Sequence, residues 1–270
     1  MKKGLLSTIF SWAFIAIMLV FMYMPIVILI IFSFAPETKA IGNWDNMIWG
    51  FDLYEELFND AEILNAIKNT FIVAVSSSLL ATLLGTFGAI GIHHLGTRSK
   101  KLVNGMSQIT VINAEIVTGA AFMLFFTLSP VKLDGYPALI IAHTIITMPY
   151  VMLSVTPRLM QLNPNLYEAG LDLGAGPMRT LGTVILPQLI PGMVSGFGLA
   201  FTLSLDDYVI SKFINGNVQT ISTLIYGATK KGIPPVWRAA SSLIFIVILS
   251  LLLFINISSA KRSAKAKGGK

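Results

Sequence analysis

The sequence contains no cysteine among its 270 residues. Disulfides and thiolate metal sites are therefore excluded, and the redox compartment leaves no trace in the composition. Charge is scarce too: 12% of residues are Asp, Glu, Lys or Arg, where a soluble globular domain carries roughly twice that fraction. There are three histidines, two of them adjacent as His93 and His94 at a predicted helix end. An interfacial loop pair outweighs metal ligation there. No Gly-x4-Gly-Lys-Ser/Thr stretch occurs, so the chain has no P-loop of its own. A Gly-x-Ser-x-Gly elbow and a His-Glu-x-x-His helix are missing as well, which argues against an intramembrane enzyme. No catalytic residue, metal ligand or resident cofactor is assigned.

What is present is apolar. Hydrophobic residues make up 54% of the chain, and the mean hydropathy is +0.75. They fall in long blocks, and a bilayer-spanning helix needs about 20 predominantly apolar residues. Six stretches meet that length: Ile9–Phe34, Ile67–Ile92, Met106–Leu128, Pro137–Thr156, Leu189–Ser211 and Ala239–Ile257. The first follows Lys2 and Lys3 but exceeds the ~7–15 apolar residues of a secretory signal. No small-x-small cleavage site follows it, so it reads as a retained anchor. The expected fold is all-α, a single polytopic membrane domain over residues 1–270 with about six transmembrane helices.

The net charge of +6 could suggest nucleic acid, yet the basic residues sit where topology signals belong. With the N-terminus inside, Lys2, Lys3, Arg98, Lys100, Lys101, Arg158, Arg179 and five tail residues lie on the inner side, against seven outside. The loop 37–66 carries seven acidic residues and one lysine, which places it outside. Both termini are then cytoplasmic. The basic loop Lys212–Arg238 runs against this pattern. Gly85, Gly88 and Gly91 in the second span, and Gly192, Gly196 and Gly198 in the fifth, read as close helix packing.

The segment Arg158–Gln188 is then the longest cytoplasmic loop. Asn163 can cap a helix beginning at Pro164, and Gly174 is placed to end it, giving a short helix Pro164–Leu173. A second start follows at Gly176-Pro177, leading to Leu186-Pro187. Glu168, Asp172 and Arg179 supply a charged face, while Leu166, Leu171 and Leu173 supply apolar contacts. A short capped amphipathic helix below a bundle suits a groove on another protein.

At these residues the chain resembles the EAA-loop permeases of ABC importers. In the stretch YEAGLDLGAGPMRTLGTVILP, the residues Glu168, Ala169, Gly174, Leu186 and Pro187 match the motif, with Gly170 replacing its second Ala and Val184 its Ile. The resemblance covers nearly the whole chain and narrows to the PotC-type permeases of spermidine/putrescine importers. NAEIVTGAAFMLFF, FTLSLDDYVISKF and IYGATKKGIPPVWRAASSLIFI carry it, with Ala114 and Arg238 as departures. It implies a type I importer (MetI-like) permease fold in the bacterial inner membrane. It also implies ATPase coupling through Glu168, Ala169, Gly170, Gly174, Leu186 and Pro187. The implied partners are two PotA-like ATP-binding subunits carrying Mg-ATP, a second PotB-like permease and a PotD-like periplasmic polyamine-binding protein.

Ionisable residues inside spans cost at least ~2.5–3.5 kcal/mol near the bilayer centre. Glu115 is the tenth residue of its predicted span and so lies near the midplane, while Asp206 and Asp207 lie towards the outer end of the fifth span. No basic residue is read within a central span, so these acids lack an evident buried partner. Salt bridges to Lys212, Arg238 or a partner subunit compete with a second reading, in which the acids line a pathway and receive a cation. Tyr208 could add cation–π attraction, whereas Trp44 and Trp49 suit interfacial anchoring. The alternatives are a permease for another small solute, or a self-contained channel or proton-coupled carrier with Glu115 as its titrating group.

Overall fold

The computed structural model describes residues 5–35, 49–130, 133–163, 165–230 and 232–268. Among them the chain forms twelve α-helices and no strand. Helices are the expected outcome, because in lipid each backbone N–H and C=O must find its partner within the chain. Four helices are long and apolar enough to cross a bilayer: Phe10–Phe32 within α1 (Leu5–Phe32), α3 (Ala61–His93), α6 (Tyr136–Met160) and the run Pro177–Asp206. Shorter apolar helices occupy the third and sixth expected spans, α5 (Glu115–Leu128) and Val236–Ser250 of α12 (Val236–Gly268). Between the first two spans lies α2 (Asp52–Asn59), which buries Leu53 and Leu57 and turns its acidic residues outward. Trp44 lies outside the described residues, and Trp49 is exposed.

The chain divides into two compact units, one running to Leu64 and including Ala228–Ser250, the other comprising Asn65–Gly227 and the chain from Leu251. In the first unit, Phe34, Phe51 and Tyr54 form an aromatic cluster with ring centroids 5.3–6.0 Å apart. The Ser33 hydroxyl meets the Tyr54 hydroxyl at 2.8 Å. Asp60 caps α3, its Oδ1 accepting from the N–H groups of Glu62 at 2.9 Å and Ile63 at 3.1 Å. Much of α1 is exposed (Phe10 75%, Phe21 77%), as a lipid-facing helix requires.

The second unit is organised around α6. Its Val151 is fully buried between α3 and α9 (Leu186–Asp206). A Cβ at Gly85 would lie 2.9 Å from Val151 Cβ, and one at Gly196 would lie 3.0 Å from Val151 Cγ1. A side chain at Gly85 would force Val151 to shift, and one at Gly196 would press tightly on it, because helix backbone and side chain meet there at contact distance. Gly91 has nothing within 4 Å, so the packing role expected of it is not seen.

Two expected spans are not continuous. The third divides at Asn113-Ala114 into α4 (Thr97–Ile112) and α5. The fifth divides at Asp207-Tyr208 into α9 and α10 (Val209–Ile214). Ala114 adopts φ −64°, ψ 127° and Asp207 adopts φ −65°, ψ 119°, both extended and both ending the i→i−4 ladder. Broken helices at membrane depth are tolerated where they are buried in protein or line a cavity.

Candidate functional site

The two breaks face one cavity. Its volume is about 250 Å³, and Glu115, Asp206, Asp207 and Tyr208 all line it, with Asn113, Thr118, Thr147 and Tyr150 completing much of the wall. The structure thus brings together the four residues expected along a pathway, but not in the expected settings. Glu115 is not mid-helix; it opens α5, where the positive end of the helix dipole favours a carboxylate. Across its break the Asn113 amide donates to Thr118 Oγ1 at 3.0 Å. Asp206 is the last residue of α9 and is exposed, whereas Asp207 is half-buried in the interruption itself. Tyr208 stacks on Tyr226 of α11 (Ile221–Thr229), with ring centroids 4.0 Å apart. Three carboxylates and a tyrosine ring thus converge on one small cavity.

The expectation that these acids lack a buried partner is wrong for Asp207. Its Oδ2 accepts from the Ser211 N–H at 2.7 Å and the Ser211 hydroxyl at 2.8 Å, and its Oδ1 accepts from the Ile210 N–H at 3.3 Å. The carboxylate therefore caps α10 and satisfies the donors that the break exposes. His143 of α6, 1% exposed, brings Nε2 to 3.4 Å from Asp207 Oδ2 and 3.1 Å from Ser211 Oγ. The partner observed for Asp207 is thus a histidine of the fourth span. A lone histidine within the fourth apolar stretch was a visible signal, since ionisable residues in spans are rare. Its partners, 61 to 68 residues further along the chain, were not.

A second site lies in the loop 158–188. Asn163 Oδ1 accepts from the Asn165 N–H at 3.0 Å at the start of α7 (Asn165–Asp172). The start expected at Pro164 lies outside the described residues. At the other end Gly174, with φ +80°, closes a Schellman cap: its N–H donates to Leu171 O at 2.9 Å, and the Ala175 N–H donates to Gly170 O at 3.2 Å. The second start is α8 (Pro177–Thr180), and a π-helical segment Leu181–Ile185 joins it to α9. Pro187 has no N–H for the carbonyl four residues back, which favours the wider winding just before it. Glu168, Ala169, Leu171 and Leu173 are exposed, Leu173 at 89%. Leu186 is half-buried and Pro187 exposed. A groove of about 770 Å³ runs beside α7, lined by His93, His94, Tyr167, Glu168, Met178 and others.

The loop's departure from the Glu-Ala-Ala pattern has a steric cause. Gly170 is buried against Thr180, and a Cβ there would lie 2.5 Å from Thr180 Cγ2. Thr180 is itself 0% exposed and β-branched, so it cannot swing aside. Gly170→Ala is expected to unseat α7 and to lower the melting temperature of the purified protein. Adding Thr180→Ser, which removes Cγ2, should restore it. A single variant as stable as the parent would show that this contact does not seat α7.

The chain belongs to the family described as binding-protein-dependent transport system inner membrane component, which it matches over residues 4–263. It is similar to the spermidine/putrescine transport system permease protein PotC of Haemophilus influenzae, with 30% identity over 252 residues, 93% of this chain and 96% of that one. PotC of Escherichia coli K12 is 32% identical over 249 residues, 92% of each chain. Among solved structures, a chain of a bacterial ABC transporter involved in the import of the acidic polysaccharide alginate superposes with a TM-score of 0.69. At 18% identity, covering 94% of this chain and 95% of that one, it shares the fold. The chain is thus a multi-pass membrane permease of the ABC-importer class.

Proposed function

We propose that the chain is one of two permease subunits of an ATP-driven polyamine importer in a bacterial inner membrane. The observation that carries the reading is the cavity at the two helix breaks, where Glu115, Asp206, Asp207 and Tyr208 converge. A polyamine is a flexible chain of ammonium groups. Its hydration is replaced on entry by carboxylates and aromatic faces, and a desolvated cation over a tyrosine gains about 2 kcal/mol. A neutral solute gains only hydrogen bonds from three carboxylates, whereas a cation gains charge–charge attraction as well.

In this reading the chain forms half of the pathway and carries no cofactor. Two PotA-like subunits bind and hydrolyse Mg-ATP, a PotB-like permease completes the pathway, and a PotD-like periplasmic protein delivers the substrate. With both termini cytoplasmic, α7 lies on the side of the ATPases. ATP binding draws the ATPase pair together, α7 transmits the motion, and the spans open outward to accept the cation; hydrolysis resets them inward.

The test is ATP-dependent uptake of labelled spermidine and putrescine by the reconstituted complex. Glu115→Gln keeps the side chain's size and removes its charge, and should raise the KM about tenfold, the value of one charge-assisted contact. Uptake by the purified chain alone, without ATP, would instead favour a self-contained carrier.

A further inference from the structure

We propose that His143 is the positioning residue of this cavity: it braces the two halves of the broken fifth span and so fixes the aim of the Asp207 carboxylate. The inference rests on reading Asp207 as a cation ligand and assigns the device that holds it there.

The imidazole has partners on both sides of the break. Nδ1 shares a 2.6 Å hydrogen bond with Ser204 Oγ on α9, before the interruption. Nε2 lies 3.1 Å from Ser211 Oγ on α10, after it, and 3.4 Å from Asp207 Oδ2 within it. The Ser211 hydroxyl spends its one proton on Asp207, so towards His143 it can only accept. Nε2 therefore carries the hydrogen and donates it to Ser211 Oγ, with the Asp207 carboxylate beside it at 3.4 Å. Ser204 is tied back to Ser77 of α3 at 3.0 Å, which extends the network to a third element.

His143 is suited to be the reference point. It stands on α6, the helix that Gly85 and Gly196 admit to contact distance at Val151, so its own backbone is held on two sides. It is 1% exposed and does not line the cavity. It acts on the substrate only through Asp207. Without it, the cap from Asp207 to α10 would remain on this side of the break. That cap fixes the carboxylate to α10 but not α10 to α9.

The experiment is a double-mutant cycle on the complete transporter, with KM and maximal rate measured for labelled spermidine. His143→Leu is expected to raise the KM about tenfold, as loss of a hydrogen bond to a charged group does. His143→Gln, which keeps one polar partner, should recover most of that loss. The decisive variant is His143→Leu with Asp207→Asn, which should be no worse than Asp207→Asn alone, because the two residues form one unit. Losses that multiply in the double variant would show a general structural role and overturn the proposal, as would an unchanged KM in His143→Leu. An unchanged KM in Asp207→Asn would overturn the cation-ligand reading, and the proposal with it. Where His143→Leu does not assemble, Ser204→Ala takes its place in the cycle, since it removes the hydroxyl on α9 that His143 Nδ1 meets and leaves the hydrogen bonds of Asp207 in place: losses that do not multiply support the brace, and losses that multiply overturn it.

Discussion

Replacing Asp207 with Asn should raise the KM for spermidine by about 10- to 100-fold while the complex still assembles and hydrolyses ATP. Asn keeps the size of the side chain and one oxygen to accept from the N–H groups of Ile210 and Ser211, so the cap on α10 survives in weakened form. What is lost is the charge. A hydrogen bond to a charged group contributes about 1.5–3 kcal/mol, and each 1.4 kcal/mol is about a factor of ten. Asp206 provides the control. It lines the same cavity but is exposed, so solvent screens its charge and Asp206→Asn should cost less. Concentration-dependent uptake of labelled spermidine by both variants measures the contrast. Equal, small effects would remove Asp207 from its place as the principal anion.

Reversing the charge at Glu168 should separate ATP hydrolysis from transport. Glu168 sits on the exposed side of α7, beside the open groove and in the first turn of the helix. Glu168→Lys puts a cation where the helix dipole already presents positive charge. Across an interface, like-charge juxtaposition costs several kcal/mol and a broken buried pair about 2–5 kcal/mol. Uptake should therefore fall by roughly 30-fold or more, while the ATPase subunits go on hydrolysing ATP without responding to substrate. Deleting 170–174 removes the contact with Thr180 and the Schellman cap, and should have the same effect. Co-purification of the ATPase with each variant, assayed beside its uptake, tells loss of grip from loss of transmission. Normal uptake by either variant would sink the assignment.

The parts of this molecule that sequence could disclose are those governed by local or one-dimensional physics. The long apolar blocks mark the spans because a helix in lipid must be apolar along its length. Asn163 and Gly174 mark the ends of α7 because capping involves residues a few positions apart. The breaks are hidden in the sequence because neither Asn113-Ala114 nor Asp207-Tyr208 contains the glycine or proline that usually announces one. Each holds instead through side chains that bond nearby backbone or hydroxyl groups, a choice apolar periodicity does not record. Glu115 and Asp207 could be picked out by rarity, but their surroundings could not. The role of His143 depends on Ser204 and Ser211, brought to it only by the packing of α6 against α9 and α10. Gly170 is a mild departure from a motif until Thr180 stands opposite it.

The run Pro177–Asp206 is 30 residues long, about 45 Å at 1.5 Å per residue. Thr180, on which Gly170 rests, is in its first turn, and Asp206 is its last residue, on the wall of the cavity. A shaft of that length passes a push at one end to the other without needing a relay of side chains between them. Its ladder loosens in the π-helical segment Leu181–Ile185, next to the end that meets α7, and again at Pro191, so a tilt begun in the π-helical segment would swing the far end through the longer arc. If α7 receives the stroke proposed for it, a small movement there would become a larger excursion at the carboxylates, with the gearing set by where along the shaft the winding loosens.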